Sequence, residues 1–309
     1  MARAPSEDRS SFPGHLESLV AARLQKLGQS LAFASHDAPV AAIHDLRVAS
    51  RRLRAFGLVF RDALGAKVHA RVERRLKRVA KAAASVRDWD VQIELLEERA
   101  SRAAGELERA ALDHLLEILE PERGRAATRV EKRLRKVNLD ALSSAVARAA
   151  RDAITYLATG MAQRRYAMEL LLQLVAKAEE DLPPKDGAEH AAELHRLRIS
   201  VKELRYALEL FEPLLGAEYA ALHERAAAIQ ESLGTHHDLA ILGDLLRKRG
   251  AELEERRRAA LSSGMKTAER ALEAERLSLL ERFRGNGFDA GWWREKLTRA
   301  LASDVTCQS

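Results

Sequence analysis

His44, Arg47, Arg51 and Arg54 follow one another at i, i+3, i+7 and i+10. On a helix turning about 100° per residue, that spacing keeps all four within an arc of about 80° and raises successive members about 5 Å along the axis. His195, Arg198, Lys202 and Arg205 repeat the pattern, with Tyr206 directly behind it. Each guanidinium presents a planar fork matched to phosphate oxygens, and an ammonium adds a point charge. Imidazoles, with an ordinary pKa of about 6.5, donate hydrogen bonds near neutrality and add charge below it. Like charges at this spacing are relieved by an extended anion lying along them, and a linear phosphate polymer meets that demand. The bland alternative is a solvated face of i, i+4 ion pairs, which would interleave acids with the cations. Between His44 and Arg54 the arc carries no acid, because Asp45 points elsewhere.

Further cations follow. Arg71, Arg75 and Arg78 run along one flank of an apolar side built from Val68, Val72, Leu76 and Val79, placed to line the same groove, while Lys67, Arg74 and Lys81 point outward to solvent. Arg129 and Arg133, with Lys136, form another basic flank, and Arg52 lies off the arc and is expected in solvent. Between Ile43 and Arg87 there are thirteen Lys and Arg against three acids, in a chain whose net charge is only +6. An excess so localised marks a surface that collects an anion. Asp88 and Asp238 precede apolar helical runs and read as helix N-caps, with an additional pairing to an Arg of the rows.

The elements that must position these rows are helices. In 309 residues there are 16 Gly, 7 Pro and 14 aromatics, with 32% charged residues. That composition excludes a turn-rich β-sandwich and fits an all-α protein. Apolar spacing predicts helices over 15–34, 40–64, 66–86, 88–119, 122–137, 139–159, 162–181, 189–215, 217–233, 237–262, 264–284 and 289–302. The chain also repeats itself. Ile43–Gly65 aligns with Leu194–Gly216 at an offset of 151, and Arg87–Leu96 with His237–Leu246 at an offset of 150. Leu46, Leu53, Phe60 and Leu64 back the first row as Leu197, Leu204, Phe211 and Leu215 back the second. The expectation is two tandem helical repeats of one unit, the first over about 15–160 and the second over about 161–302. Residues 1–14 and 303–309 read as disordered or flexible tails.

Other chemistry finds little support. Cys307 is the one cysteine, so no intrachain disulfide or cysteine cage forms, and a cytoplasmic setting fits. The N-terminus has no apolar signal core, and no run is apolar enough to span a membrane. No metal site, cofactor motif or nucleophile elbow is evident, and Gly285–Gly291 is a loop rather than a dinucleotide fingerprint. A phosphohydrolase or phosphotransferase using His44 or His195 would lack a carboxylate cluster for a divalent metal. Nucleic-acid binding would lack aromatic stacking platforms.

The double H-x-x-R-x-x-x-[RK]-x-x-R pattern at His44 and His195, with the two later R-D and H-D segments, resembles the CHAD domain, the conserved histidine α-helical domain. The resemblance spans roughly 15–300. It implies an all-α fold of two tandem helical-bundle repeats related by a pseudo-twofold axis, with a basic central groove or pore that binds inorganic polyphosphate, and association with polyphosphate granules. The expected role is a non-enzymatic binding module, with other granule proteins as partners. By position match, His44, Arg47, Arg51, Arg54, His195, Arg198, Lys202, Arg205 and Tyr206 inherit the binding role. Glu209 lies on the second arc where the first has Leu58, and the helix that follows keeps only His223 and Arg225 against the first copy's basic flank, so the second half is expected to contribute less.

Overall fold

The structure is a computed structural model describing residues 11–36, 38–184 and 190–302, and among these it is all helical. The elements are α1 (Phe12–Ala34), α2 (Val40–Val59), α3 (Arg61–Ser101), α4 (Glu106–Leu134), α5 (Leu139–Tyr156), α6 (Gly160–Glu180), α7 (Ala191–Leu215), a 3-10 turn (Gly216–Glu218), α8 (Tyr219–Glu255), α9 (Ala259–Asn286) and α10 (Ala290–Ala302). Side-chain caps start four of them, α10 through Asp289 Oδ1, which accepts from the backbone N–H groups of Gly291 and Trp292. Ser11, Asn138 and Thr159 accept from the backbone N–H groups of Gly14, Ala141 and Ala162, satisfying donors that a helix start leaves unpaired. α1 thus begins three residues earlier than its apolar spacing indicates.

Several expected breaks are absent. α3 runs unbroken through Asp88 and α8 through Asp238, so neither residue is an N-cap. The reason is cooperative: both segments carry apolar residues before and after the acid that bury in two different cores, and interrupting the helix would forfeit one of them. Pro121, expected near a boundary, sits inside α4. The turns come instead at 102–105 and 256–258, and α3 kinks at Gly65, whose φ of 69° suits a residue without Cβ.

Two apolar cores organise the chain. The first joins α2 and α7 through the residues behind the rows: Leu46, Leu53, Phe60, Leu197, Leu204 and Phe211 are all fully buried. Phe211 stacks on Phe12 with ring centroids 5.8 Å apart and meets Phe60 edge-on at 5.9 Å. Burying each such side chain contributes roughly 1.5–3 kcal/mol. The second core gathers the far halves of α3, α4, α8 and α9, with Leu96, Leu112, Leu115, Leu242, Leu246 and Met265. There α9 approaches α4 closely enough that a Cβ on Gly264 would lie 2.1 Å from the Leu107 carbonyl oxygen. α3 and α8 each cross from one core to the other, and Arg87–Gln92 and Thr235–Asp238 lie at the waist between them.

Candidate functional site

At that waist lies a cavity of about 350 Å3 between α2, α3, α7 and α8. α2 supplies His44, Arg47 and Arg51, and α7 supplies Arg198 and Lys202. Because the apolar sides of both helices bury in one core, their polar sides are forced into one cleft, and the two rows meet. α3 adds Arg87, Asp88 and Gln92; α8 adds Gln230, Thr235 and Asp238, with Glu231 also on the wall. Arg47 donates to Asp88 Oδ1 at 3.2 Å, the additional pairing expected for that acid. Among the described residues Arg51, Arg198 and Lys202 have no carboxylate within 4 Å.

The crowding shows in the titration of the groups. Burial, then Arg51, Arg198 and Arg47, pushes the Lys202 ammonium from 10.5 down to about 7. Arg198 is lowered by burial and by Arg51 and Arg47, against the attraction of Asp238. Burial also lowers Arg47, with Arg51 adding to the effect, and raises the Asp238 carboxyl, which favours its neutral form. His44 is lowered by burial and by Arg87. His195 is lowered by burial and by Arg198, and packs against the His237 ring at 5.1 Å between centroids. His237 is held at about 4, by burial first and then Arg198. At neutral pH these imidazoles are neutral hydrogen-bonding groups beside a dense set of cations.

Other expected site residues lie elsewhere. Arg54 forks onto Glu73, with Nε and Nη2 at 3.0 and 2.7 Å from Oε1, tying α2 to α3. Arg205 makes the matching tie between α7 and α8, its Nε donating to His223 Nε2 at 3.3 Å. The last Arg of each row thus clamps a helix pair and does not line the cavity. Tyr206 lies on the row side of α7 but is buried, 6% exposed, near the Arg23 guanidinium and off the cavity wall. Arg52, expected in solvent, instead donates through Nη2 to Glu209 Oε1 at 3.2 Å. Glu209 also accepts from buried Arg23 at 2.6 Å, so the acid on the second arc is spent on a buried ion cluster and does not face the cavity. Arg75, Arg78 and Arg133 line a different cavity, together with Lys81, which was expected to point into solvent. Arg71 and Arg129 are exposed and line neither cavity.

Arg87 was missed by the spacing argument, although the repeat carries its signal. It aligns with His237 at the offset of 150, and each stands by the leading histidine of its own row: Arg87 acts on His44, and His237 packs tilted against His195. Gln230 and Thr235 had no such signal. Among the described residues no three His, Cys, Asp or Glu side chains group as metal ligands, and no helix is long and apolar enough to cross a membrane.

Fold and site together define an all-helical protein with a cation-lined cleft between two helix pairs. The CHAD domain family model matches residues 18–247, and the chain belongs to that family. Two solved structures share the fold. The CHAD domain from the plant Ricinus communis aligns with a TM-score of 0.59 at 23% identity, covering 96% of this chain and 94% of the other. PptA from Streptomyces chartreusis aligns with a TM-score of 0.62 at 18% identity, covering 93% and 99% respectively. No functionally curated protein matches the sequence.

Proposed function

We propose that this protein binds inorganic polyphosphate in the cleft between α2, α3, α7 and α8 without turning it over, and through it associates with polyphosphate granules and their proteins in the cytoplasm. The CHAD family is associated with polyphosphate. The observation that carries the reading is the meeting of Arg47, Arg51, Arg87, Arg198 and Lys202 around one cavity of about 350 Å3. Cations so crowded that an ammonium is held near neutrality gain by sharing one polyanion. The α2–α3 and α7–α8 pairs act as two halves related by a local twofold, the first offering His44, Arg47, Arg51 and Arg87 and the second Arg198 and Lys202 to a chain passing between them. Their contributions differ, since three arginines line the cleft from the first pair and one arginine and one lysine from the second.

A cavity of this size grips a short stretch of a linear polymer, so longer chains gain by rebinding and by engaging the surrounding cations. Isothermal titration with polyphosphates of graded length, at two salt concentrations, tests the reading. Affinity should rise with length and fall with salt, as for other polyanions that release counterions. Arg47→Glu, Arg51→Glu and Arg198→Glu together should abolish binding while helicity is unchanged; unaltered binding by that variant refutes the site. Release of phosphate on incubation with Mg2+ or Mn2+ would replace the binding role with a catalytic one.

A further inference from the structure

A second cavity, of about 530 Å3, opens between α3, the end of α4 and the start of α5. Arg75, Arg78, Lys81, Arg133 and Lys136 line it, and no acidic side chain is part of its wall. Among the described residues none of these five cations has a carboxylate within 4 Å. Arg75 is fixed in place, its Nη1 donating to the Ala141 carbonyl at 2.6 Å. The others are exposed and free to turn toward a ligand. The floor is of another character. Leu134 and Leu142 are each 1% exposed, and Val137 and Ala82 complete an apolar surface beneath the charges.

That pairing differs from the waist cavity, whose cations share the wall with Gln92, Gln230 and Thr235 and with the acids Asp88, Glu231 and Asp238, beside Val48, Val91 and Ile241. An inorganic phosphate chain would meet the cations but lie against leucine and valine, which return no hydrogen bonds to its oxygens. A purely apolar ligand would leave five cations unmatched. We propose that the second cavity binds a nucleoside polyphosphate, with the base and ribose on the apolar floor and the phosphates among the five cations. Guanidinium planes stack on flat aromatic rings as well as forking onto phosphate oxygens, so Arg78 and Arg133 suit both parts of such a ligand. The volume falls within the roughly 300–1,000 Å3 of small-molecule pockets. The proposal does not depend on the polyphosphate reading, since the two cavities share no lining residue.

The experiment is calorimetry on the full chain with ADP as probe and inorganic triphosphate as the comparison lacking base and ribose. ADP should bind wild type and the Arg51→Glu/Arg198→Glu variant alike. Arg78→Glu/Arg133→Glu should weaken ADP at least tenfold; both residues are exposed, so helicity by circular dichroism should be unchanged. Ala141→Phe keeps every charge and fills the floor, so it should cost ADP at least tenfold while inorganic triphosphate binds as to wild type. The proposal is overturned if ADP does not bind wild type, if inorganic triphosphate competes at this cavity as tightly as ADP, or if both Arg78→Glu/Arg133→Glu and Ala141→Phe retain full ADP affinity.

Discussion

Raising the pH from about 7 to about 9 should weaken polyphosphate binding through one ammonium, that of Lys202. Its fall from 10.5 to about 7 follows from burial first, then from Arg51, Arg198 and Arg47, with only Glu203 drawing it back. Holding it charged without an anion therefore costs at most about 5 kcal/mol. Phosphate oxygens beside it reverse that balance, so binding must draw a proton from solvent. At pH about 8 a group with a pKa of about 7 is about nine-tenths neutral, and uptake should approach about 0.9 proton per protein bound. At that pH His44 and His195, both held below their ordinary value, stay neutral and add little. Calorimetry in buffers of different ionisation enthalpy reads the uptake directly. Lys202→Arg, charged throughout, should abolish the Lys202 uptake at pH about 8 and flatten the pH dependence of affinity. No proton uptake by wild type at this pH, or equal uptake by Lys202→Arg, would refute the reasoning.

The same lysine sets a stability trend in the absence of ligand. With its folded pKa below the unfolded value, the unfolded chain binds more protons between about 7 and 10.5, so stability should rise with pH across that window. Lys202→Met should raise the melting temperature most below pH about 7, the gain fading toward the upper limit. Glu209→Ala strips buried Arg23 of its partner and should cost about 3–5 kcal/mol in urea denaturation. Gly264→Ala, forced against the Leu107 carbonyl, should cost about 1–3 kcal/mol by the same assay. Arg54→Ala breaks a half-exposed clamp to Glu73, so it should lower stability by about 1 kcal/mol or less and leave polyphosphate affinity within about twofold.

The helical class and the meeting of the two rows were legible because periodicity and repetition are local signals. Leu46 and Leu53 with Leu197 and Leu204 mark the buried sides of α2 and α7, and what remains of each turn must face the cleft. Helix ends were less legible. Asp88 and Asp238 carry the chemistry of caps, yet long-range packing in two cores carried the helices through them. Individual cations were least legible, because a charge count cannot tell an arginine with a partner from one without. Arg54 and Arg52 each find a glutamate across an interface, Glu73 and Glu209, that no helical wheel brings together. The flank at Arg75 and Arg78 was expected in the same groove, but it sits higher on α3 and turns toward α4 and α5, where Arg133 joins it.

A crystal structure with a short inorganic polyphosphate bound tests the central claim most directly. Phosphate oxygens should lie within hydrogen-bond distance of Arg51, Arg198 and Lys202 together, between α2 and α7. A chain held elsewhere on the surface, with those three side chains making no contact to it, would contradict it.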